Sequence, residues 1–192
     1  MRIVAGAARG MRLEGPGNLP IRPTSDRVRQ SLFNILAPIV EGQTVLDGFA
    51  GTGALGIEAL SRGASFCAFL EKDPRCISII QKNLDHTRLA DRARIIRCDA
   101  FRSVHKLREL NLRFGLLFFD PPYQFLGAPT GWAALIDYCA SLADAGLTEP
   151  DALFIIEHRA AHAPPSPLAR ANVTDRRKYG DTGLLMLNVT LT

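Results

Sequence analysis

Residues 45–56 read VLDGFAGTGALG. The short apolar run 44–46 gives way to Asp47, then to glycines at 51, 53 and 56, and an amphipathic run over 54–62 follows at helical spacing. A strand that turns through glycines into a helix opens a βαβ unit, and the return to the sheet is then right-handed and parallel. Outward from this point the alternation repeats. Runs 66–70, 93–98, 116–119 and 152–157 read as further strands, and 74–89, 101–110 and 132–143 as helices between them. The helix at 74 is the clearest, with Asp73 as N-cap, Pro74 at its first position and Ile77, Ile80 and Leu84 on one face. Beyond 170 the pattern changes: 173–179 and 184–190 are strand-like and joined by GDTG, which predicts an antiparallel hairpin at the sheet edge.

The first 40 residues read as an added piece. MRIVAG and GMRL suggest two short strands, and a loop with Pro16, Gly17, Pro20 and Pro23 leads to a helix from about Ser25. Val28, Leu32, Ile35 and Leu36 form its apolar stripe, with Arg27 and Arg29 expected on another face. The domain division is therefore 1–40, a β-hairpin and helix extension, and 41–192, an α/β domain.

With 192 residues, 47% of them hydrophobic, the chain suits one well-cored domain and hence one site. Cys67, Cys76, Cys98 and Cys139 are far apart with no C-x-x-C pair, as reduced structural thiols are. No secretory leader and no apolar stretch of about 18 residues is present, so the expectation is a cytoplasmic protein. The net charge of +4 is unevenly placed. Six arginines in the first 30 residues face only Glu14 and Asp26, and 159–192 carry a second basic excess. Arginine outnumbers lysine 19 to 4, which favours a polyanionic partner over a merely solvated surface.

The strand ends carry acids: Asp47, Glu71, Asp99, Asp120 and Glu157. In parallel sheets ligands bind outside the carboxyl ends of the strands. Gly51, Gly53 and Gly56 satisfy the dinucleotide fingerprint G-x-G-x-x-G literally, with Glu71 twenty residues past Gly51. Asp47 argues against a pyrophosphate on that turn, because the acid would face a doubly negative group. The ammonium and sulfonium of S-adenosylmethionine suit it better. Glu71 then accepts from ribose hydroxyls and Asp99 from the adenine amino group, with the N–H of Ala100 or Phe101 addressing a ring nitrogen.

After the fully apolar run LLFF comes Asp120-Pro121-Pro122-Tyr123. An exocyclic amine on a base is a poor nucleophile because its lone pair is delocalised into the ring. Hydrogen bonds from its N–H groups to Asp120 and to the rigidly held carbonyl of Pro121 aim that lone pair at a methyl donor, and Pro122 is expected to keep the loop out of a helix. Tyr123 offers a face for a flipped-out base, and Phe125 a pocket wall. His158, His162 and Glu157 lack a third well-spaced ligand beside the prolines at 164 and 165, so no metal is expected.

These motifs resemble those of class I S-adenosylmethionine-dependent methyltransferases: VLDGFAGTGALGIEALSRGA, FLEKD, RCDAF and FFDPPY, the last being the signature of amino-group methylation. The flanks RIVAG, RPTSDRVRQSLFN and KYGDT are similar to the bacterial 16S rRNA guanine-N2 methyltransferase family over nearly the whole chain. That resemblance implies a Rossmann-like, mostly parallel seven-stranded sheet with helices on both faces and an antiparallel C-terminal hairpin. It implies that Asp120 to Tyr123 form the base pocket and that Asp47, Gly51, Glu71 and Asp99 hold S-adenosylmethionine, with Phe49, Thr52, Gly53, Lys72, Ala100, Phe101 and Asp120 beside them. It further implies Arg22, Thr24, Asp26 and Arg27 over the active site, and Arg9, Arg12 and Lys178 on 16S rRNA within a 30S subunit or assembly intermediate, with the enzyme a monomer. Gly48 stands where a leucine is usual, and GAARG lacks an aromatic often found there. The residues leave open adenine-N6 methylation of DNA, a dinucleotide-dependent oxidoreductase, and an RNA-binding factor without turnover.

Overall fold

The computed structural model describes residues 1–17 and 24–190. In chain order these form α1 (Asp26–Leu36), β1 (Thr44–Asp47), α2 (Ala54–Ser61), β2 (Phe66–Glu71), α3 (Pro74–Thr87), β3 (Ala93–Arg97), α4 (Val104–Arg108), β4 (Phe114–Phe119), α5 (Tyr123–Gly127), α6 (Gly131–Asp144), β5 (Thr148–Arg159), β6 (Ala171–Tyr179) and β7 (Thr182–Val189), with three short 3₁₀ turns. The sheet is seven-stranded and mixed. Its strands fall into two compact units, Met1–Ser103 and Val104–Thr192.

In the first unit the strand order is β3-β2-β1, all parallel, with Thr44 opposite Phe66 and Cys67 opposite Ala93. Val45, Leu46, Cys67, Ala68, Phe69 and Leu70 are all buried, the continuous apolar pattern of strands covered on both faces. Every residue of α2 is buried. Gly56 makes that possible: a Cβ there would lie 2.3 Å from the Phe69 ring and 2.6 Å from Cys67 Sγ. In the second unit β4 and β5 are parallel, while β7 is antiparallel to both β5 and β6, in the order β4-β5-β7-β6. The hairpin expected from GDTG is β6 and β7, with β6 on the edge.

Four local expectations are corrected. The helix read over 101–110 is a 3₁₀ turn at Ala100–Arg102 and the five-residue α4. β5 runs from Thr148 to Arg159, well beyond 152–157 at both ends. MRIVAG and GMRL do not build two strands; they meet in one antiparallel bridge, Arg2 with Arg12. The reason lies in where the backbone donors go. Ile3 donates to the Met11 carbonyl, Gly10 to that of Ile3 and Leu13 to that of Met1, but Val4 and Ala5 donate to the Glu58 carboxylate, Ala7 to the Ser61 carbonyl and Ala8 to Ser61 Oγ, so the pairing stops at the bridge and the rest of the segment is satisfied by the end of α2.

Arg29 is the fourth. It lies on the buried face of α1 with no exposure, one turn before Phe33, rather than on a solvent face with Arg27. Its guanidinium pairs with Asp26 at 3.0 Å, bonds to the Arg2 carbonyl, and lies 3.5 Å from the fully buried Glu58, which Arg62 meets at 2.8 Å. One buried carboxylate thus ties α1, α2 and the N-terminal segment together.

All four cysteines are free thiols, three of them buried. No helix among the described residues is long and apolar enough to cross a membrane.

Candidate active site

Asp47 closes β1 and is 2% exposed. The turn after it needs glycine twice, since Gly51 (φ +53°) and Gly53 (φ +78°) are both left-handed. Gly53 is the N-cap of α2 and has no side chain to offer, so Asp47 Oδ2 does the capping from β1, accepting the Gly56 N–H at 3.0 Å. Burial pushes the Asp47 pKa up to about 7, against the lowering influence of that N–H and with a further push from Glu71. Among the described residues no cation is paired with it.

Glu71, at the end of β2, fixes the other side of the turn. Its Oε2 accepts the Gly51 N–H at 2.9 Å, and Oε1 accepts those of Lys72 and Asp73 at 2.7 and 2.9 Å. The Ala50 N–H goes to the Leu70 carbonyl and that of Gly53 to the Ala50 carbonyl, so the turn is pinned along its length. Asp99, two residues past β3, caps the 3₁₀ turn by accepting the Phe101 N–H at 3.0 Å, which engages one of the two donors expected for an adenine ring nitrogen. Lys72 Nζ is 4.0 Å from Asp99 on an exposed surface. Ala100 and Thr52 are buried, and the Phe49 and Phe101 rings stand edge to face at 5.8 Å. Asp47, Gly51 and Glu71 are therefore joined by hydrogen bonds and electrostatics into one cradle, flanked by two aromatic rings.

In the second unit Asp120 follows β4 directly and is half-buried. Pro121 is buried and Pro122 exposed. Pro122 does not hold the loop open: it is the N-cap of α5, with φ −50° and ψ 133°, and its carbonyl accepts the Phe125 N–H at 2.8 Å. Proline suits a position just before a helix, where its missing N–H is not needed. Tyr123 and Phe125 lie half-buried on this short helix. His162 Nδ1 is 3.2 Å from the Tyr123 carbonyl, and the His162 carbonyl accepts Trp132 Nε1–H at 3.0 Å. His158 packs edge-on against Trp132 at 5.4 Å, and burial holds its pKa below the usual histidine range. The two histidines thus brace α5 and α6, and the described residues contain no cluster of metal-binding side chains.

Of the residues expected on RNA, Arg9, Arg12, Arg27 and Lys178 are exposed, Lys178 on the edge strand β6. Thr24 is buried and Asp26 is engaged by Arg29. Arg22 lies outside the described residues. Two contributions carry no local signal in the sequence: Asn83, whose side chain bonds to the Thr52 carbonyl in the cradle, and the bracing role of His162.

The model of the family described as conserved hypothetical protein 95 matches residues 1–188. The chain belongs to this family. The chain is similar to the Bacillus subtilis "Putative rRNA methyltransferase YlbH", 33% identical over 184 residues and 96% of each chain. It is 40% identical over 124 residues to "Ribosomal RNA small subunit methyltransferase D" of Escherichia coli K12, a match spanning 65% of this chain and 61% of that one. The solved structure "Putative methyltransferase yhhF" from Escherichia coli superimposes over 100% of this chain and 99% of its own, with TM-score 0.80 and 32% identity. The fold is thus the Rossmann-like one of class I methyltransferases.

Proposed function

We propose that this protein transfers a methyl group from S-adenosylmethionine to the exocyclic N2 amino group of a guanine in 16S rRNA. The observation that carries the reading is the buried acid beneath a glycine turn: Asp47 has its charge suppressed by burial and, among the described residues, no cationic partner, a setting that a ligand ammonium would relieve. A pyrophosphate would worsen it. The names of the relatives support the ribosomal RNA substrate, and the exposed arginines near the N-terminus suit a phosphate backbone.

The residues present fit the cofactor. Asp47 faces its positive end, Gly51 and Gly53 allow backbone approach, Glu71 keeps acceptor capacity on Oε2 for a ribose hydroxyl, and Phe49 and Phe101 offer apolar walls for adenine. When bound, S-adenosylmethionine supplies a methyl on a positively charged sulfur. Asp120 accepts an N–H hydrogen bond from the guanine amine and the Pro121 carbonyl accepts the other, orienting the nitrogen lone pair. Asp120 also receives the proton that the nitrogen must lose. Tyr123, held by α5 and His162, stacks on the extruded base.

Incubation with tritiated S-adenosylmethionine and 30S particles from a strain lacking the protein, followed by nucleoside analysis, yields labelled N2-methylguanosine. Label in N6-methyladenosine or only in DNA would overturn the base assignment.

Proton release gives a second test. Asp47 has its folded pKa raised to about 7 from 3.8, so the cost of its ionisation to the empty protein is absent below pH 3.8, grows as pH rises, and is complete above 7. A ligand ammonium favours the carboxylate and lowers that pKa. Binding of S-adenosylhomocysteine between about pH 6 and 7 therefore releases protons, visible in calorimetry as a dependence of heat on buffer ionisation enthalpy, and Asp47→Asn removes the dependence. Equal heats in all buffers for the parent protein would exclude the contact.

A further inference from the structure

Within the first unit, α3 carries an asparagine on its buried face. Asn83 is 2% exposed, yet its side chain is fully used as a donor: Nδ2 donates to the carbonyls of Glu14 and Thr52, each at 3.1 Å, while Oδ1 accepts the Glu14 N–H at 2.7 Å. Only one amide orientation is compatible with these partners, since the flipped one sets an oxygen against two carbonyls and an NH₂ against an N–H. Toward Glu14 the amide copies the paired bonds of a sheet ladder. Toward Thr52 it holds the peptide between the two left-handed glycines of the cradle.

Each end of this bracket leads to a different ligand. Thr52 lies in the turn whose neighbouring N–H groups are fixed by Glu71 and by the Ala50 carbonyl. Glu14 belongs to a strap, residues 13–17, that follows the Arg2–Arg12 bridge directly, two residues on from the exposed Arg12 expected on RNA. The strap is held on α3 a second time by Lys82 Nζ, 3.3 Å from the Glu14 carboxylate. Asparagine is a weak helix former, and neither partner is its neighbour along the chain, so this amide contributes to tertiary placement and not to α3 itself.

We propose that Asn83 is a positioning residue that couples the cofactor turn to the N-terminal strap, so that filling the turn and seating RNA favour one another; this rests on the function proposed above. A ligand settled on Gly51 and Gly53 restricts the Thr52 peptide and its carbonyl. The Nδ2 bond to that carbonyl then defines the amide plane, and the same plane sets the Glu14 backbone. Coupling of this kind is reciprocal: RNA bound through the strap tightens the cofactor by the same factor.

Hydrogen exchange on the parent protein reads the strap directly. Saturating S-adenosylhomocysteine slows exchange of the Glu14 N–H together with that of Gly53, and an unchanged Glu14 rate overturns the proposal without any variant. Binding reads the coupling. S-adenosylhomocysteine tightens association with unmethylated 30S particles roughly fivefold or more, whereas Asn83→Ala, checked by circular dichroism and assayed below its melting range, binds each ligand with a coupling factor near one. A folded Asn83→Ala that keeps the parent factor overturns the proposal, since a merely structural asparagine would lower the melting temperature and leave that factor alone. Should the parent fail to bind particles at all, the RNA reading fails, and the Glu14 exchange rate still decides whether the turn and strap are joined.

Discussion

Asp120→Ala lowers kcat for methyl transfer by about 10²- to 10⁴-fold and leaves S-adenosylhomocysteine affinity close to that of the parent. Asp120 stands at the carboxyl end of β4, after four buried apolar residues, and its neighbour Pro121 is buried, so the carboxylate is presented from a rigid strand end. Its removal takes away the acceptor that orients the amine and the group that receives its proton. Asp120→Asn separates the two. An amide oxygen still accepts an N–H, so a variant with most of its activity assigns Asp120 to orientation, and one as inactive as Asp120→Ala, at unchanged fold, assigns it to proton acceptance. An Asp120→Ala enzyme turning over at the parent rate on 30S particles would remove the residue from the chemistry altogether.

The parts of this site legible in the sequence are those whose signal is local. LLFF before D-P-P-Y marks the end of β4 because four apolar residues in a row and a proline pair cannot both belong to one strand. Gly51 and Gly53 are needed for their backbone angles, and Asp73 with Pro74 marks the start of α3. The unread parts depend on partners far along the chain. Asn83 bonds to Glu14 and Thr52, 69 and 31 residues away. Arg29 escapes a local reading because charge ordinarily means exposure, although 29, 33 and 36 repeat at helical spacing as well as 28, 32 and 36 do. The matching clue is Glu58, an acid within the otherwise uncharged run ALGIEALS. Two opposite charges, each on an apolar face, predict each other. Pro122 departs from expectation for another reason: proline breaks a helix from within, whereas before the first turn of α5 it breaks nothing.

Glu58→Ala is the substitution with the largest expected effect on stability. The carboxylate accepts the N–H groups of Val4 and Ala5 at 2.8 and 3.1 Å and meets Arg62 Nε at 2.8 Å, with Arg29 Nε at 3.5 Å. Arg29 has no exposure, and among the described residues its Nε and Nη1 already lack a hydrogen bond, so removing Glu58 leaves a buried guanidinium with Asp26 and the Arg2 carbonyl as its remaining described partners. Breaking a buried pair from one side costs about 3–5 kcal/mol. For a chain of this length that is a fall in melting temperature on the order of 10 °C. Arg29→Met costs less, because Glu58 keeps Arg62 and two backbone donors, and the double variant is more stable than the sum of the single losses predicts, since no orphan charge remains. Calorimetry of the four proteins checks the order; additive losses would show that the pair is not coupled. The comparison also sorts the arginines of R-P-T-x-D-R-V-R by role. Arg27 is exposed, so Arg27→Ala weakens binding to 30S particles at an unchanged melting temperature, whereas Arg29→Met lowers the melting temperature and weakens binding only as far as it loosens the N-terminal segment whose Arg2 carbonyl it holds.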